Sequence, residues 1–270
     1  MRKGRVVLAL LGAMVLAFGT PVQASVSSAK SHEFRDDGVP TAFRVWWALA
    51  RRGDPLAQLR VGSMFESGEA IPQSYEMAAA WYRKAADHGI AEAQNNLGVL
   101  YEKGRGVARN DAIALAWYRK AAARGDGPAQ NNLGAMYSNG RGVAKDDAIA
   151  VTWFRRAAEQ GNPAAQYNLG VMYFYGRGVA RDHGAALEWY LAAAGQGLAN
   201  AQNNVGFIYV RGDGVPADNV RAHMWFHLAA EQGHEAADRN LAQLAALMTP
   251  EQLAEARRLA RGWQQRHGSR

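Results

Sequence analysis

The sequence predicts an all-α protein, an α/α solenoid in which helix-turn-helix repeats with a 36-residue period stack on one another. Three observations predict this fold: Ala-Gln pairs recur at one spacing, a glycine and then an aromatic residue follow each pair at constant offsets, and a tryptophan marks the second half of each unit. The tryptophans stand at Trp81, Trp117, Trp153, Trp189 and Trp225, in steps of 36 residues without an insertion. A fixed period of this length is the signature of a repeat architecture.

The first half of each unit has the apolar spacing of a helix. In the second unit this pattern, i, i+4, i+7 and i+8, is formed by Ala93, Leu97, Leu100 and Tyr101. Gly98 lies on the same face, where a glycine costs about 1 kcal/mol relative to alanine. We therefore expect another helix to cross close to Gly98, and we expect Gly104 to end this first helix.

The second half of each unit begins with a residue suited to capping a helix N-terminus. These residues are Ser74, Asn110, Asp146, Asp182 and Asp218. The second helix of the second unit is expected from about residue 111 to 124, with Gly125 ending it. Asp54-Pro55 and Asn162-Pro163 pair an N-cap with proline at the first helical position of two first helices. Each unit is therefore a helical hairpin whose apolar face is too wide to bury alone, so the units must stack.

The two ends of the repeat array depart from the pattern. Residues 39–52 are expected to form an N-terminal capping helix, followed by five full repeats over about 54–233 and a degenerate sixth over 234–248. Residues 249–270 are expected to form a C-terminal capping helix, to about Arg266, and a tail. Terminal repeats deviate in this way because one of their faces meets water.

The N-terminus has the features of a secretory signal peptide. Arg2, Lys3 and Arg5 precede an apolar run of 13 residues, and small residues stand before a cleavage point expected near Ala24-Ser25. That run is shorter than the roughly 20 residues of a membrane-spanning helix, so residues 1–24 are expected to be removed. Residues 25–37 carry no pattern and are expected to be flexible. The mature protein is then predicted to be periplasmic or secreted.

The charge balance argues against a nucleic-acid-binding protein. The net charge is +7, and removal of a leader with three basic and no acidic residues lowers it to +4. A balance this mild, together with export, does not favour a nucleic-acid partner.

The middle units read A-x-A-Q-N-N-L-G-x-x-Y-x-x-G-R-G-V-A, followed by the tryptophan helix and its closing glycine. This pattern resembles the Sel-one-like repeat (SLR), a relative of the tetratricopeptide repeat, over about residues 38–248. The resemblance implies a right-handed superhelix with the first helices on its concave side. It also implies scaffold or adaptor work in complexes, often at the bacterial envelope. Some relatives with cysteine-stapled repeats are linked to β-lactam binding; this chain has no cysteine, so that activity is not carried over.

The residues do not predict a catalytic, cofactor-binding or metal site. His223 and His227 are four residues apart and share a helix face, but no third ligand is near in sequence. Position 223 corresponds to Leu115, Val151 and Leu187 in other units, which indicates packing. The Gly104-x-Gly106 loop follows a helix and lacks the lysine of a phosphate-binding loop, so a helix cap and turn is favoured.

A partner is expected to bind where the units differ, on the first-helix face that the resemblance places on the concave surface. In the fourth and fifth units this face is apolar and aromatic with a polar edge: Tyr167, Val171, Phe174, Tyr175, Asn203, Phe207, Val210 and Arg211. Such a cluster is typical of a binding hot spot. Packing of some of these residues between adjacent units is the alternative.

Two further rows of residues recur along the array. Loop arginines Arg105, Arg141 and Arg177 are expected to line one edge, either solvated or facing acidic partners or lipid head groups. A ladder of asparagines is expected to satisfy neighbouring helix or loop carbonyls, or to touch a ligand backbone: Asn96, Asn132, Asn168, Asn204 and Asn240.

The sequence thus favours an exported protein-protein interaction scaffold that binds a protein or peptide and is not an enzyme. The alternative is an envelope enzyme or cell-wall-ligand binder of the β-lactam-processing type. A catalyst needs titratable groups that converge in a pocket, and the candidate surface offers Asn, Tyr, Phe and Val instead. The oligomeric state is not predicted.

Overall fold

The structure is a computed structural model that describes residues 40–69 and 71–267, and every regular element in these ranges is an α-helix. The thirteen helices of the described ranges are α1 Thr41–Arg51, α2 Pro55–Ser67, α3 Tyr75–Asp87, α4 Ala91–Lys103, α5 Asp111–Ala123, α6 Gly127–Asn139, α7 Asp147–Glu159, α8 Pro163–Tyr175, α9 His183–Gly195, α10 Ala199–Arg211, α11 Asn219–Ala230, α12 Glu235–Ala245 and α13 Pro250–His267. The predicted signal peptide 1–24 and flexible segment 25–37 lie outside the described residues. None of the helices described is long and apolar enough to cross a membrane.

The helices pack as five successive hairpins. The pairs α2/α3, α4/α5, α6/α7, α8/α9 and α10/α11 each form one repeat, and the second helix of each repeat also packs on the first helix of the next element. The predicted all-α fold of stacked helix pairs with a 36-residue period is confirmed. The core consists of clusters of buried alanine, leucine, methionine and aromatic side chains between successive helices, and half-buried residues such as Tyr137 and Tyr173 pack against two neighbouring clusters.

The close crossing expected at Gly98 is confirmed, and the group that crosses is an aromatic ring. A Cβ atom built on Gly98 would lie 2.7 Å from Cε1 of Tyr118, in the second helix of the same repeat. The same contact recurs in each repeat, between Gly62 and Tyr82, Gly134 and Phe154, Gly170 and Tyr190, and Gly206 and Phe226. The glycine is therefore required because the ring packs against its backbone with no room for a Cβ atom.

The predicted helix caps are confirmed. The side chain of each expected N-cap accepts a hydrogen bond from the backbone N–H three residues ahead, at 3.2 Å for Ser74 and at 2.9–3.0 Å for Asn110, Asp146, Asp182 and Asp218. Asp54 and Asn162 cap α2 and α8 in the same way. Gly104 ends α4 in the left-handed conformation at φ 66°. These caps satisfy backbone groups that a helix end leaves without partners.

The glutamine of each Ala-Gln pair has a role that its periodicity did not reveal. It is buried, and its amide donates to the backbone carbonyl eight residues earlier, near the end of the preceding second helix. In the third, fourth and fifth repeats its side-chain oxygen also accepts from a glutamine at the end of the second helix of the same repeat: Gln160 to Gln130, Gln196 to Gln166 and Gln232 to Gln202, at 2.7–2.8 Å. The glutamine thus joins helix ends within and between repeats.

The first and last helices, α1 and α13, pack on the two ends of the repeat array. In α1, Phe43 and Trp47 meet Phe65 at ring distances of 5.9 and 6.2 Å. At the other end, Trp263 of α13 lies 6.0 Å from Trp225 of the fifth repeat. Aromatic side chains therefore close both ends of the described core.

Candidate functional site

A polar cluster joins the second and third repeats. The Arg141 guanidinium donates to the carboxylates of Glu102 at 2.6 Å and Asp111 at 2.9 Å. The Tyr118 hydroxyl donates to the other oxygen of Glu102, also at 2.6 Å. The hydrogen bond from Arg141 lowers the pKa of Asp111, so this carboxyl stays ionised beside the arginine.

The loop geometry explains why Arg141 reaches this cluster. Gly142 follows it at φ 66°, and a Cβ atom at Gly142 would lie 2.6 Å from the backbone oxygen of Asp111. Only glycine fits both this conformation and this approach. The second glycine of each G-x-G loop therefore presses the loop against the preceding repeat, which is the structural role favoured from the sequence.

The same arrangement recurs one repeat later with one change. Arg177 donates to Asp147 and to the hydroxyl of Ser138, both at 2.9 Å, and Ser138 occupies the register of Glu102. Arg105 lies over the ring of Tyr75, 5.4 Å from its centroid. Arg141 and Arg177 therefore bond to side chains of the preceding repeat, whereas Arg105 is exposed, as expected for a solvated loop residue.

In the fourth and fifth repeats this polar cluster is replaced by aromatic residues. Phe174 takes the register of Glu102, His183 that of Asp111, and Asp213 that of Arg141. The rings of Phe174 and His183 stack at a centroid distance of 4.8 Å, and His183 Nδ1 lies 3.9 Å from Asp213. The sign of the loop charge is thus reversed, and Asp213 is paired with Arg211 at 2.9 Å.

A second set of bonds between repeats also ends at this junction. Arg119 donates to the Tyr137 hydroxyl at 2.8 Å and Arg155 donates to that of Tyr173 at 2.9 Å. The next residue in this register is Leu191, which cannot donate. The junction between the fourth and fifth repeats therefore has fewer side-chain bonds of the kinds that join the earlier repeats.

A cleft of about 60 Å³ opens at this junction. Its lining residues are Phe174, Tyr175, Tyr190, Asn204, Phe207 and Ile208. Tyr175 is 66% exposed and Phe207 is 43% exposed, so both side chains present aromatic surface to solvent. The ring of Phe174 meets that of Tyr175 edge-on at 5.1 Å. An exposed aromatic group around a concave opening is typical of a protein-binding surface.

The structure divides the residues of the predicted partner site. Phe174, Tyr175 and Phe207 share the cleft. Tyr167 and Val171 are half-buried and pack against the core, which is the packing alternative left open by the sequence.

The polar edge of the predicted site has internal partners. Asn203 accepts a hydrogen bond from Asn240 at 3.0 Å. Arg211 lies over the ring of Phe207, 5.6 Å from its centroid, and pairs with Asp213. Val210 is 38% exposed and does not line the cleft.

The partner site predicted from the sequence did not include Tyr190, Asn204 and Ile208, which also line the cleft; of these, only Asn204 was considered for ligand contact, as a member of the asparagine ladder. Tyr190 was not predicted because it occupies a position of the second helix that is aromatic in every repeat, and such a position is typical of a core residue. Burial raises its pKa above the usual value, and the nearby Tyr167 contributes to the rise. The informative signal was the fourth repeat's combination of Tyr190 with Phe174, where two earlier repeats combine tyrosine with glutamate.

The asparagine ladder bonds to other asparagines. Side-chain amides donate to side-chain oxygens of the preceding repeat, Asn132 to Asn95, Asn168 to Asn131 and Asn240 to Asn203, at 2.9–3.0 Å. The structural role favoured from the sequence is therefore present, but the acceptors are side chains and not the helix or loop carbonyls that were expected. Asn96 and Asn204 are the exceptions, because Leu59 and Tyr167 occupy the register of their acceptors.

The histidine pair is not part of a larger cluster of metal-ligating side chains in the described ranges. His223 is buried, and its pKa is lowered by burial and by the neighbouring His227 and Arg257. His227 faces Glu231, with Nε2 3.5 Å from Oε1. The packing role indicated by the repeat register is consistent with this burial.

The comparisons with known proteins agree with this geometry. The Sel1 repeat family matches five consecutive units, residues 55–90, 91–126, 127–162, 163–198 and 199–234. None of the curated proteins compared with the chain is similar to it at a significant level.

Solved structures with the same fold come from several bacteria. The chain is 37% identical to c5321, a protective antigen of uropathogenic Escherichia coli with an SLR fold, at a TM-score of 0.80; the match covers 84% of this chain and 49% of that protein, so this chain spans about half of its length. A Sel1 repeat protein of Oxalobacter formigenes is 32% identical at a TM-score of 0.69, covering 83% and 91% of the two chains. A Klebsiella pneumoniae Sel1 repeat protein shares the fold at 21% identity, with a TM-score of 0.51 over 75% and 99% of the chains. The five matched units and the stacked hairpins show that this chain belongs to the Sel1 repeat (SLR) family.

Proposed function

We propose that this chain is an exported protein-protein interaction scaffold that holds a protein or peptide at the junction of its fourth and fifth repeats. One observation carries the proposal: Phe174, Tyr175 and Phe207 surround a common cleft, and the last two are substantially exposed. Exposed aromatic residues that share a concave site are the residue class that dominates binding energy in interfaces.

The earlier repeats use the same register differently, which supports a special role for this junction. The side chains of Glu102 and Ser138 accept hydrogen bonds from the loop arginine of the following repeat. Phe174 makes no such bond, and Asn139 stands where Tyr175 stands in the fourth repeat. Stacking alone therefore does not require an exposed aromatic pair at this point.

A photocrosslinking experiment tests the surface in the full chain, expressed with its leader. A benzophenone amino acid replaces Tyr175 in one variant and Asn139, exposed in the same register of the third repeat, in the matched control. We expect a discrete adduct from position 175, none from position 139, and less adduct when Phe207→Ala is added. Equal adducts at both positions, or none at position 175, would contradict the proposal.

The enzyme alternative finds little support in the cleft. Its titratable lining residues are the two tyrosines, and the pKa of Tyr190 is raised by burial, which opposes a role as a base near neutral pH. Turnover of nitrocefin by the purified mature chain, above that of a misfolded Trp117→Ala control, would favour the alternative.

A further inference from the structure

The repeats keep a tyrosine hydroxyl and a carboxylate together. Tyr82 donates to Glu66, and Tyr118 donates to Glu102, each at 2.6 Å. Where the carboxylate is absent, the hydroxyl is absent too: Ser138 accompanies Phe154 in the third repeat, and Val210 accompanies Phe226 in the fifth. In these four repeats the tyrosine hydroxyl and the carboxylate are therefore either both present or both absent.

The fourth repeat breaks this rule. It retains the hydroxyl of Tyr190 but carries Phe174 in the register of the glutamate. Tyr190 is only 2% exposed, and no carboxylate of the described residues lies beside its hydroxyl as Glu66 and Glu102 lie beside those of Tyr82 and Tyr118. The hydroxyl is not among the buried side-chain atoms that lack a hydrogen bond, and Tyr190 lines the cleft, so the hydroxyl can donate to a group that enters there.

A second donor loses its usual acceptor at the same place. Asn132, Asn168 and Asn240 each donate to an asparagine of the preceding repeat. Asn204 belongs to this ladder, but Tyr167 stands where its acceptor would be. Its side chain lies beside Tyr190 and opposes the rise of that residue's pKa.

The two donors line one cleft with an aromatic wall. Tyr190 and Asn204 form part of its lining, together with Phe174, Tyr175 and Phe207. A volume of about 60 Å³ has room for a few water-sized groups, which suits a carboxylate head and not a larger ligand. Because burial raises the pKa of Tyr190, its hydroxyl stays protonated near neutral pH and remains a donor.

The charges near the cleft do not oppose an anion. His183 stacks on the lining residue Phe174, and its Nδ1 lies 3.9 Å from Asp213. The Asp213 carboxylate is in turn paired with the Arg211 guanidinium at 2.9 Å. Arg211 also lies over Phe207, a lining residue. The negative charge of Asp213 at the rim of the cleft is therefore balanced by the positive charge of Arg211.

We propose that this cleft receives a glutamate side chain of the protein partner, whose carboxylate accepts from Tyr190 and Asn204 while an adjacent apolar side chain packs on Phe174 and Phe207. The partner's glutamate takes the place that Glu66 and Glu102 fill for the tyrosines of their own repeats. This assignment rests on the proposed function, because it names the chemistry that the same surface recognises. The choice of glutamate follows from the side chain that the fold itself uses against this hydroxyl.

Capped peptides test the assignment directly on the full mature chain. The probes are N-acetylated, C-amidated Leu-Glu-Leu and Leu-Gln-Leu, and the readout is the side-chain amide signal of Asn204 during an NMR titration. We expect the glutamate peptide to bind about tenfold more tightly than the glutamine peptide, because a hydrogen bond to a charged acceptor is stronger than one to a neutral amide. Equal affinities would overturn the proposal, as would an unchanged Asn204 signal at saturating peptide.

Two variants separate recognition from folding. Tyr190→Phe removes the donor and is expected to abolish the preference for glutamate, while Tyr118→Phe, which loses the corresponding hydroxyl in the second repeat, should leave it intact. Phe174→Glu restores the internal carboxylate and is expected to reduce peptide binding about tenfold or more. Preference retained in Tyr190→Phe would overturn the proposal even if Phe174→Glu fails to fold.

The outcome also distinguishes this proposal from the one on which it rests. If photocrosslinking at position 175 persists in Tyr190→Phe at the wild-type level, the docking surface stands and the glutamate assignment is wrong. If no crosslink forms at position 175 in the wild-type chain, the docking surface itself is wrong.

Discussion

The guanidinium group of Arg141 lies 2.6 Å from the carboxylate of Glu102, 39 residues earlier in the chain. The contact crosses the boundary between two repeats, and the same guanidinium also holds Asp111. The loop of each middle repeat is thereby fastened to the hairpin before it. Such contacts make the interface between neighbours part of the stability of each repeat.

Arg141→Gln is expected to lower the free energy of unfolding by about 1–2 kcal/mol, because it removes charge-assisted bonds to two partly buried carboxylates. The measurement is chemical denaturation of the purified mature chain. Arg109→Gln is the matched control, since Arg109 contacts the same Asp111 at 3.4 Å from a largely exposed position. A loss for Arg109→Gln as large as that for Arg141→Gln would contradict this interpretation.

Gly98→Ala is expected to destabilise the protein by about 1–3 kcal/mol despite the better helix propensity of alanine. The added methyl would meet the ring of Tyr118 at 2.7 Å, and the ring is held from its other side by the core. Thermal unfolding measures the effect. Gly195→Ala, at a helical glycine with nothing within 4 Å, should leave the stability equal or higher; a comparable loss there would show that packing against Tyr118 is not the cause.

Gln166→Leu is expected to lower the free energy of unfolding by about 1–2 kcal/mol, because it removes a buried hydrogen bond to the Ala158 carbonyl, which keeps only the Gly161 N–H as a donor. It also removes the acceptor of the Gln196 amide. Gln196→Ala, on the exposed side of that contact, should cost less than about 1 kcal/mol. Urea denaturation of both variants measures the change in the free energy of unfolding. An unchanged free energy of unfolding in Gln166→Leu would mean that the buried bond contributes little.

His223→Leu is expected to reduce the loss of stability on acidification. The folded protein holds the pKa of His223 below its usual value of 6.5, through burial and then through His227 and Arg257. The unfolded chain therefore binds the proton first, so stability is fully present above pH 6.5 and falls as the pH drops below it. Melting temperatures at pH 7.5 and 5.5 measure the effect.

His88→Gln, at an exposed helix end, is the control for loss of an imidazole far from this site. We expect its pH dependence to match the wild type. A His223→Leu variant with the wild-type pH dependence would mean that His223 does not govern the acid sensitivity.

If the chain is exported as proposed, we expect the mature protein to begin at Ser25. Small residues precede this position as a signal peptidase requires, and Ala24→Arg should block processing. Intact mass and N-terminal sequencing of protein from the periplasmic fraction measure the result. A full-length mass in that fraction, or a wild-type mass for Ala24→Arg, would contradict the predicted cleavage.

Residue types and their spacing were enough to predict the helices, their caps and the period of the repeats. Ser74 and Asn110 cap their helices as expected, and Gly98 marks a close crossing, because each of these signals acts over a few residues or repeats in register. Local backbone requirements of this kind can be read from residue type and spacing.

The spacing of residues did not show which side chains of the variable face are exposed to a partner; the packing of the hairpins did. Tyr167 and Phe207 are both aromatic and both lie on this face, yet Tyr167 packs beside Tyr190 at 5.7 Å while Phe207 is exposed. The position of the loop arginines in the sequence likewise did not predict that stacking of the repeats brings Arg141 into contact with Glu102. The physical reason is that the rotation and translation between neighbouring hairpins are set by packing of the whole interface, and a period along the chain does not specify them.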